Sequence, residues 1–177
     1  KLLLRILKMY LVSKLQTAYY KSPIGITKIE GDNFGIQSIS LLDNNDYPPK
    51  QNKEIEKLPV CLKDCLIQLE EYFNNNRTEF NLKLNPQGTD FQQRVWNELL
   101  NIPFNKTRTY MEQTKALGDI KAIRAVASAN GKNPIAIVIP CHRVIGSDGS
   151  LTGYASGLWR KKWLLEHESP VKQQSLF

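Results

Sequence analysis

Residues 109–131 read TYMEQTKALGDIKAIRAVASANG, and their punctuation predicts two short helices joined by a tight turn. Thr109 and Glu112 have capping-box spacing, in which hydroxyl and carboxylate each satisfy an amide that the first helical turn leaves unpaired. Leu117-Gly118 ends that helix, because glycine readily adopts the left-handed backbone of a helix C-terminus. Asp119 then caps a second helix, Ile120–Ala129, closed by Asn130-Gly131. Two short helices meeting through Gly118-Asp119 predict a helix-turn-helix. The second helix is nearly without side-chain bulk: Ala122, Ala125, Ala127, Ser128 and Ala129, broken by Arg124. Its alanine content fits tight core packing as well as it fits a backbone that approaches a narrow groove with one arginine reaching in.

Downstream, Ile135-Ala136-Ile137-Val138-Ile139 precedes Pro140-Cys141-His142-Arg143-Val144. The aliphatic, β-branched run reads as an interior strand that Pro140 stops, having no amide hydrogen to give. Cys141 then sits on a rigid element, with His142 and Arg143 beside it to favour the thiolate. A lone cysteine is more often a small core hydrophobe, so the pentapeptide by itself leaves both readings open. Upstream, Thr89 and Gln92 repeat the capping-box spacing before a helix whose Phe91, Val95, Trp96, Leu99 and Leu100 face inward. Residues 102–107 read as a turn around Pro103.

The first half predicts a small α+β unit. Thr17–Lys21, Ile24–Glu30 and Phe34–Leu42 are strand-like, with turn signals at Ser22-Pro23 and Gly31-Asp32-Asn33. Asp43–Lys57 reads as a polar loop. Leu58, Leu62, Cys65, Leu66, Leu69, Tyr72 and Phe73 recur at helical spacing up to Asn74-Asn75-Asn76. Cys61 and Cys65, one turn apart, fit core packing better than a metal pair, because the chain has only His142 and His167 to add as ligands. Asn81–Gly88 reads as a linker, which divides the chain into domains 1–84 and 85–177, with 1–10 a possible extension.

The net charge of +7 is uneven: 11 Lys+Arg against 10 Asp+Glu through Leu82, and 13 against 7 from Lys83 onward. The basic excess therefore lies in the half that holds Cys141; it fits a solvated face, and better a polyanionic partner. No apolar run is long enough to span a bilayer. The opening KLLLRILKMYLV has the apolar and basic character of a short signal peptide without a small-residue cleavage site, so a cytoplasmic protein is expected (nuclear in a eukaryote). An odd number of cysteines, three, argues against a disulfide framework.

The second half resembles the O6-alkylguanine-DNA alkyltransferases, or methylated-DNA–protein-cysteine methyltransferases, through TDFQQRVWNELLNIP, TYMEQTKALG, IRAVASANGKNPIAIVIPCHRVIGSDGSLTGYASGL and KKWLLEHE in that order. The first half is similar in outline to that family's variable N-terminal domain. The resemblance implies an α+β protein: a small N-terminal antiparallel-sheet and helix domain, ribonuclease H-like in outline, then a mostly helical C-terminal domain with a winged-helix-like helix-turn-helix. It implies single-turnover transfer of an alkyl group from O6 of guanine, less readily O4 of thymine, to the protein's own cysteine, after the base is flipped out through the minor groove.

By the same match Cys141 is the acceptor, His142 relays its proton through water, Glu168 orients His142, and Tyr110 hydrogen-bonds the base as guanine leaves. Position alone would make Glu168 a surface carboxylate near a helix end. Asn133 braces the turn before Cys141. Arg124 fills the place of the extruded nucleotide, and Ala125, Ala127, Ser128, Ala129 and Asn130 complete the DNA-binding helix. Val144, Tyr154, the Ala155 amide and Lys161 belong to the base pocket. Many relatives have glycine where this chain has Asn105, a residue that tolerates left-handed backbone. The zinc ligands of some relatives are missing, so neither metal nor cofactor is expected. The expected partner is double-stranded DNA carrying O6-alkylguanine, met by a monomer with no membrane involved. Two other readings are a recognition module that binds alkylated DNA without reacting, and a cysteine hydrolase; the Cys141-His142-Glu168 set speaks against the first. The helix-turn-helix and basic bias have no place in the second.

Overall fold

The computed structural model describes residues 14–43 and 55–169, and the chain divides into two compact units, 1–87 and 88–177. The apolar start of the chain and most of the polar loop expected at Asp43–Lys57 lie outside the described residues.

The first unit is built on an antiparallel sheet of order β1-β2-β3, with β1 Gln16–Ser22, β2 Gly25–Asp32 and β3 Gly35–Leu42. Thr17 pairs with Glu30 and Ile29 with Ile39, so the β-branched positions Ile26, Ile29, Ile36 and Ile39 are all buried. Helix α1, Val60–Phe73, lays Leu62, Cys65, Leu69 and Tyr72 against β1 and β2, and truncating one of these leucines costs about 2–5 kcal/mol. Cys65 is wholly buried, which pushes its thiol up to about 12; Cys61 is half-buried and donates to the Asp32 carbonyl at 2.9 Å.

Residues expected to be a linker are instead tied into this unit. Gln68 clamps Asn81 from both sides of its side-chain amide, donating to the carbonyl at 2.9 Å and accepting from the amide at 2.8 Å. Leu84 then bridges Ile36 in parallel, with Ile36 N donating to Lys83 O and Asn85 N to Ile36 O. Gly35 makes this approach possible: it has φ +143°, and a Cβ there would meet Lys83 O at 2.6 Å.

The second unit is mostly helical. Helix α2, Asp90–Leu99, and helix α3, Tyr110–Ala116, both carry complete capping boxes, from Thr89 with Gln92 and from Thr109 with Glu112. After Gly118 (φ +88°), Asp119 caps a 3-10 turn, Ile120–Ala122, and helix α4 runs Ile123–Gly131. The second helix of the helix-turn-helix thus begins as a tighter turn than expected and continues past Ala129. Trp96 is buried against α4 and donates to the Ala129 carbonyl at 2.9 Å. Leu100, expected inside, is instead exposed at the C-cap of α2. Strands β4, Arg108–Thr109, and β5, Val144–Ile145, pair in parallel, and α5, Leu158–Glu168, packs on the turn that carries Cys141.

The run 135–139 is buried as expected, but it is not a strand. Its backbone turns back on itself, with Val138 N donating to Ala136 O, Ile139 N to Ile135 O and Cys141 N to Ile139 O. Ile137 sits at φ +73°, a strained conformation for a β-branched residue. The chain curls here because Asn133 supplies hydrogen bonds that a strand would have taken from a sheet.

Candidate active site

Asn133 holds that curl from inside. Its Oδ1 accepts from the Ile135 amide at 3.0 Å, and its Nδ2 donates to the Ile139 carbonyl at 2.7 Å and to Cys141 Sγ at 3.2 Å. The sulfur is therefore fixed by side chain and backbone together, at the start of a 3-10 turn, Cys141–Arg143. Burial pushes the Cys141 thiol up, opposed by the Asn133 hydrogen bond and the nearby Lys161 charge. The resting sulfur holds its proton at neutral pH, so chemistry there needs a group to take it.

His142 is that group's natural candidate. It is wholly buried, and its Nε2 lies 2.8 Å from Glu168 Oε1. Burial pulls its pKa down, so the ring is neutral, and the ionised Glu168 makes Nε2 the donor. Nδ1, the remaining acceptor, is buried and has no hydrogen-bond partner among the described residues. Glu168 is the last residue of α5, where the helix dipole opposes a negative charge. It is ionised all the same. Burial would raise its pKa, but His142 and the Arg143 guanidinium outweigh that and hold it well below the usual carboxylate range.

Arg143, expected beside Cys141 to favour the thiolate, turns its guanidinium to Glu168 instead. It is buried, donates from Nε to Glu168 Oε2 at 2.8 Å and from Nη2 to Oε1 at 3.0 Å, and gives Nη1 to the Ile102 carbonyl at 2.7 Å. Its place in the pentapeptide was the available signal; its partner stands 25 residues away. The Asn105 amide also points at Glu168 Oε2, at 3.4 Å, from a residue with φ +58°. The left-handed turn expected of Asn105 survives and faces the site.

Lys161 is wholly buried, and its Nζ donates to the Val144 carbonyl at 2.6 Å and the Thr152 carbonyl at 2.7 Å. Burial lowers its pKa to about 8, partly offset by Cys141. Tyr110, the first residue of α3, donates its hydroxyl to the same Thr152 carbonyl at 3.2 Å, with the Lys161 ammonium 5.9 Å from its ring centre. Burial raises the Tyr110 pKa. Val144 is wholly buried in β5 and does not line the cavities described next; its carbonyl is what it contributes.

A narrow pocket of about 30 Å³ opens at Cys141, lined by Asn130, Asn133, Tyr154 and Ala155 among others. Beside it lies an open groove of about 790 Å³ that includes Tyr110, Arg124 and Ala127, and the two share Gly131, Gly153, Tyr154 and Ala155. The Tyr154 hydroxyl is buried with no hydrogen-bond partner among the described residues. Among the residues expected to face DNA, Arg124, Ala125, Ala127 and Ser128 are exposed. Ala129 and Asn130 are not: Ala129 is buried beneath Trp96, and the Asn130 side chain is spent on Gln113 of α3, donating at 2.7 Å and accepting at 3.1 Å. These two brace the helix from behind. Among the described residues no cluster of His, Cys, Asp and Glu could hold a metal ion.

Two family models match the chain. Residues 15–86 fit the one described as the ribonuclease-like domain of 6-O-methylguanine DNA methyltransferase, and residues 90–170 fit its DNA binding domain. The methylated-DNA–protein-cysteine methyltransferase of Methanosarcina acetivorans is 44% identical over 151 residues, covering 85% of this chain and 96% of the relative. The protein of that name from Mycobacterium tuberculosis is 44% identical over 147 residues, 83% and 88% of the two chains. The crystal structure of the M. tuberculosis O6-methylguanine methyltransferase superposes with TM-score 0.75 at 40% identity, covering 88% of this chain and 93% of that one. A second M. tuberculosis crystal structure, of a complex with DNA, gives TM-score 0.75 at 42% identity over 86% and 91%. With sequence, fold and both domain models in agreement, the chain belongs to the methylated-DNA–protein-cysteine methyltransferase family.

Proposed function

We propose that this protein repairs DNA by moving the alkyl group from O6 of guanine, and less readily from O4 of thymine, irreversibly onto Cys141. The observation that carries this reading is the setting of that sulfur. It is fixed by Asn133 at the mouth of a pocket and backed by the buried His142–Glu168 pair, beside a groove bordered by an exposed small-residue helix with one arginine.

Basic residues of the second unit engage phosphates, so binding weakens as salt rises. The exposed face of α4, Arg124 with Ala125, Ala127 and Ser128, enters the minor groove, and Arg124 takes the place of the extruded nucleotide. The flipped base enters the groove and advances to the sulfur. The pocket of about 30 Å³ has room for about two waters, so the purine must push back the 153–155 segment that the two cavities share.

The thiol proton passes to His142 Nδ1 through water, and the resulting thiolate attacks the alkyl carbon in line with the O6 bond. A carbon–sulfur bond forms as the carbon–oxygen bond breaks, and the electron pair leaves with guanine. Tyr110 donates a hydrogen bond to the base as that charge develops, and guanine ends with the proton the thiol gave up. No cofactor is consumed, and the thioether does not hydrolyse, so each molecule acts once. Such a protein works on chromosomal DNA as a monomer, in the cytoplasm of a prokaryote or the nucleus of a eukaryote. No described helix is long and apolar enough to cross a membrane.

The test is a time course with excess duplex containing O6-methylguanine. The expected result is a plateau of repaired guanine equal to the protein present, absent for Cys141→Ser although that variant still binds the duplex. Turnover beyond one equivalent, or unrepaired lesion with tight binding, would refute single transfer; the second outcome is that of a recognition module.

A further inference from the structure

The site holds a carboxylate in a place that physical chemistry disfavours twice over: Glu168 is buried and ends a helix, with the wholly buried His142 beside it. A buried carboxylate facing a lone imidazole would draw a proton onto the ring and form an ion pair. The ring would then donate from both nitrogens and have nothing left to accept the Cys141 proton. The charged or titratable groups around His142 are Glu168 and Lys161 from α5, with Arg143 and Cys141 from its own turn. Of these cations, Arg143 reaches both carboxylate oxygens, at 2.8 and 3.0 Å, while Lys161 is committed to two carbonyls. The Ile102 carbonyl, at 2.7 Å from Nη1, locks the guanidinium plane in that pose.

We propose that Arg143 is a positioning residue that sets the proton state of the site. By neutralising Glu168 in a two-point grip it lets the carboxylate orient His142 without protonating it, so the ring keeps one proton on Nε2 and leaves Nδ1 as the acceptor. This rests on the alkyl-transfer reading above, and it assigns the arginine a role in the reaction rather than in DNA contact.

The chain has only two histidines, so ring-labelled NMR titration of the full-length protein resolves His142 from His167. The wild type is expected to show the neutral Nε2–H tautomer at pH 7. Arg143→Gln leaves Glu168 uncompensated and moves the His142 titration up by at least about one pH unit. The acidic limb of methyl transfer moves up by the same amount, so that on this limb transfer falls about tenfold for each pH unit of that move. Glu168→Gln moves the titration down, and the double variant R143Q/E168Q brings it back. Arg143→Lys keeps the charge and the neutral ring. A merely structural arginine would shift stability without this opposed pattern. An unchanged His142 titration in R143Q, or the same direction in R143Q and E168Q, overturns the proposal. Should R143Q not fold, R143K and the double variant decide: a neutral ring in both supports it, and an imidazolium at pH 7 in either overturns it. A wild type that transfers no methyl group would sink the functional reading, and the titrations would still decide the role of Arg143.

Discussion

The Asn133 amide nitrogen lies 3.2 Å from Cys141 Sγ while it donates to the Ile139 carbonyl at 2.7 Å. One side chain thus fixes both the backbone that enters the reactive turn and the sulfur that leaves it. Ile137, held at φ +73° between them, is strained backbone that this bracing maintains.

Asn133→Asp separates the two halves of that role. The carboxylate still accepts from the Ile135 amide but no longer donates to Ile139 O or Sγ, and its charge disfavours the thiolate. Transfer should fall by at least about tenfold. Asn133→Ala removes all three bonds and should cost about 2–4 kcal/mol in denaturant melts. Near-wild-type transfer in Asn133→Asp would show that the sulfur does not need this donor.

Arg124 is exposed on α4, so Arg124→Ala should leave stability within about 0.5 kcal/mol of wild type. Transfer from duplex should nonetheless drop steeply, and transfer from an O6-methylguanine already outside a helix, in a short single strand, should drop far less. Equal losses on both substrates would contradict a role in propping open the stack.

Acid should destabilise the protein in two stages. His142 is held neutral, below its unfolded value of about 6.5, so the unfolded chain takes that proton first and stability declines as pH falls from there. Glu168 is held below its unfolded value of about 4.3. Its contribution is present above that pH and is lost as pH falls beneath it. Each group changes stability by at most about 1.4 kcal/mol per pH unit within its window. Denaturant midpoints from pH 7 to 3 check this, and Glu168→Gln should flatten the lower stage. A midpoint that rises on acidification would contradict both assignments.

The buried Gln113–Asn130 pair joins α3 to α4 by two reciprocal bonds, and Asn130 also lines the Cys141 pocket. Either single change to Leu strands the partner amide and should cost about 1–3 kcal/mol, with the double change costing less than the sum. Additive losses in a double-mutant cycle would show that the two amides do not act as a pair.

Much of this architecture is legible in the chain because its signals are local. Thr89 with Gln92 and Thr109 with Glu112 cap helices in the structure as their spacing demands, and the β-branched runs of the first half form the sheet. Burial of 135–139 was legible too, but its conformation was not. Periodicity reports which residues avoid water, while the curl depends on where the Asn133 amide points. Arg143 stood beside the cysteine in plain view, yet its partner at the far end of α5 is set by tertiary packing. Ala129 and Asn130 read like their neighbours on α4, and only the docking of Trp96 and Gln113 turns them inward.

The most direct measurement is the mass of the Cys141 peptide after the protein meets one O6-methylguanine in a duplex. That peptide should gain one CH₂, on Cys141 and on neither Cys61 nor Cys65, with no further gain as more DNA is added. An unmodified Cys141 peptide in protein that has met the lesion, or the methyl group on another residue, would contradict transfer to Cys141.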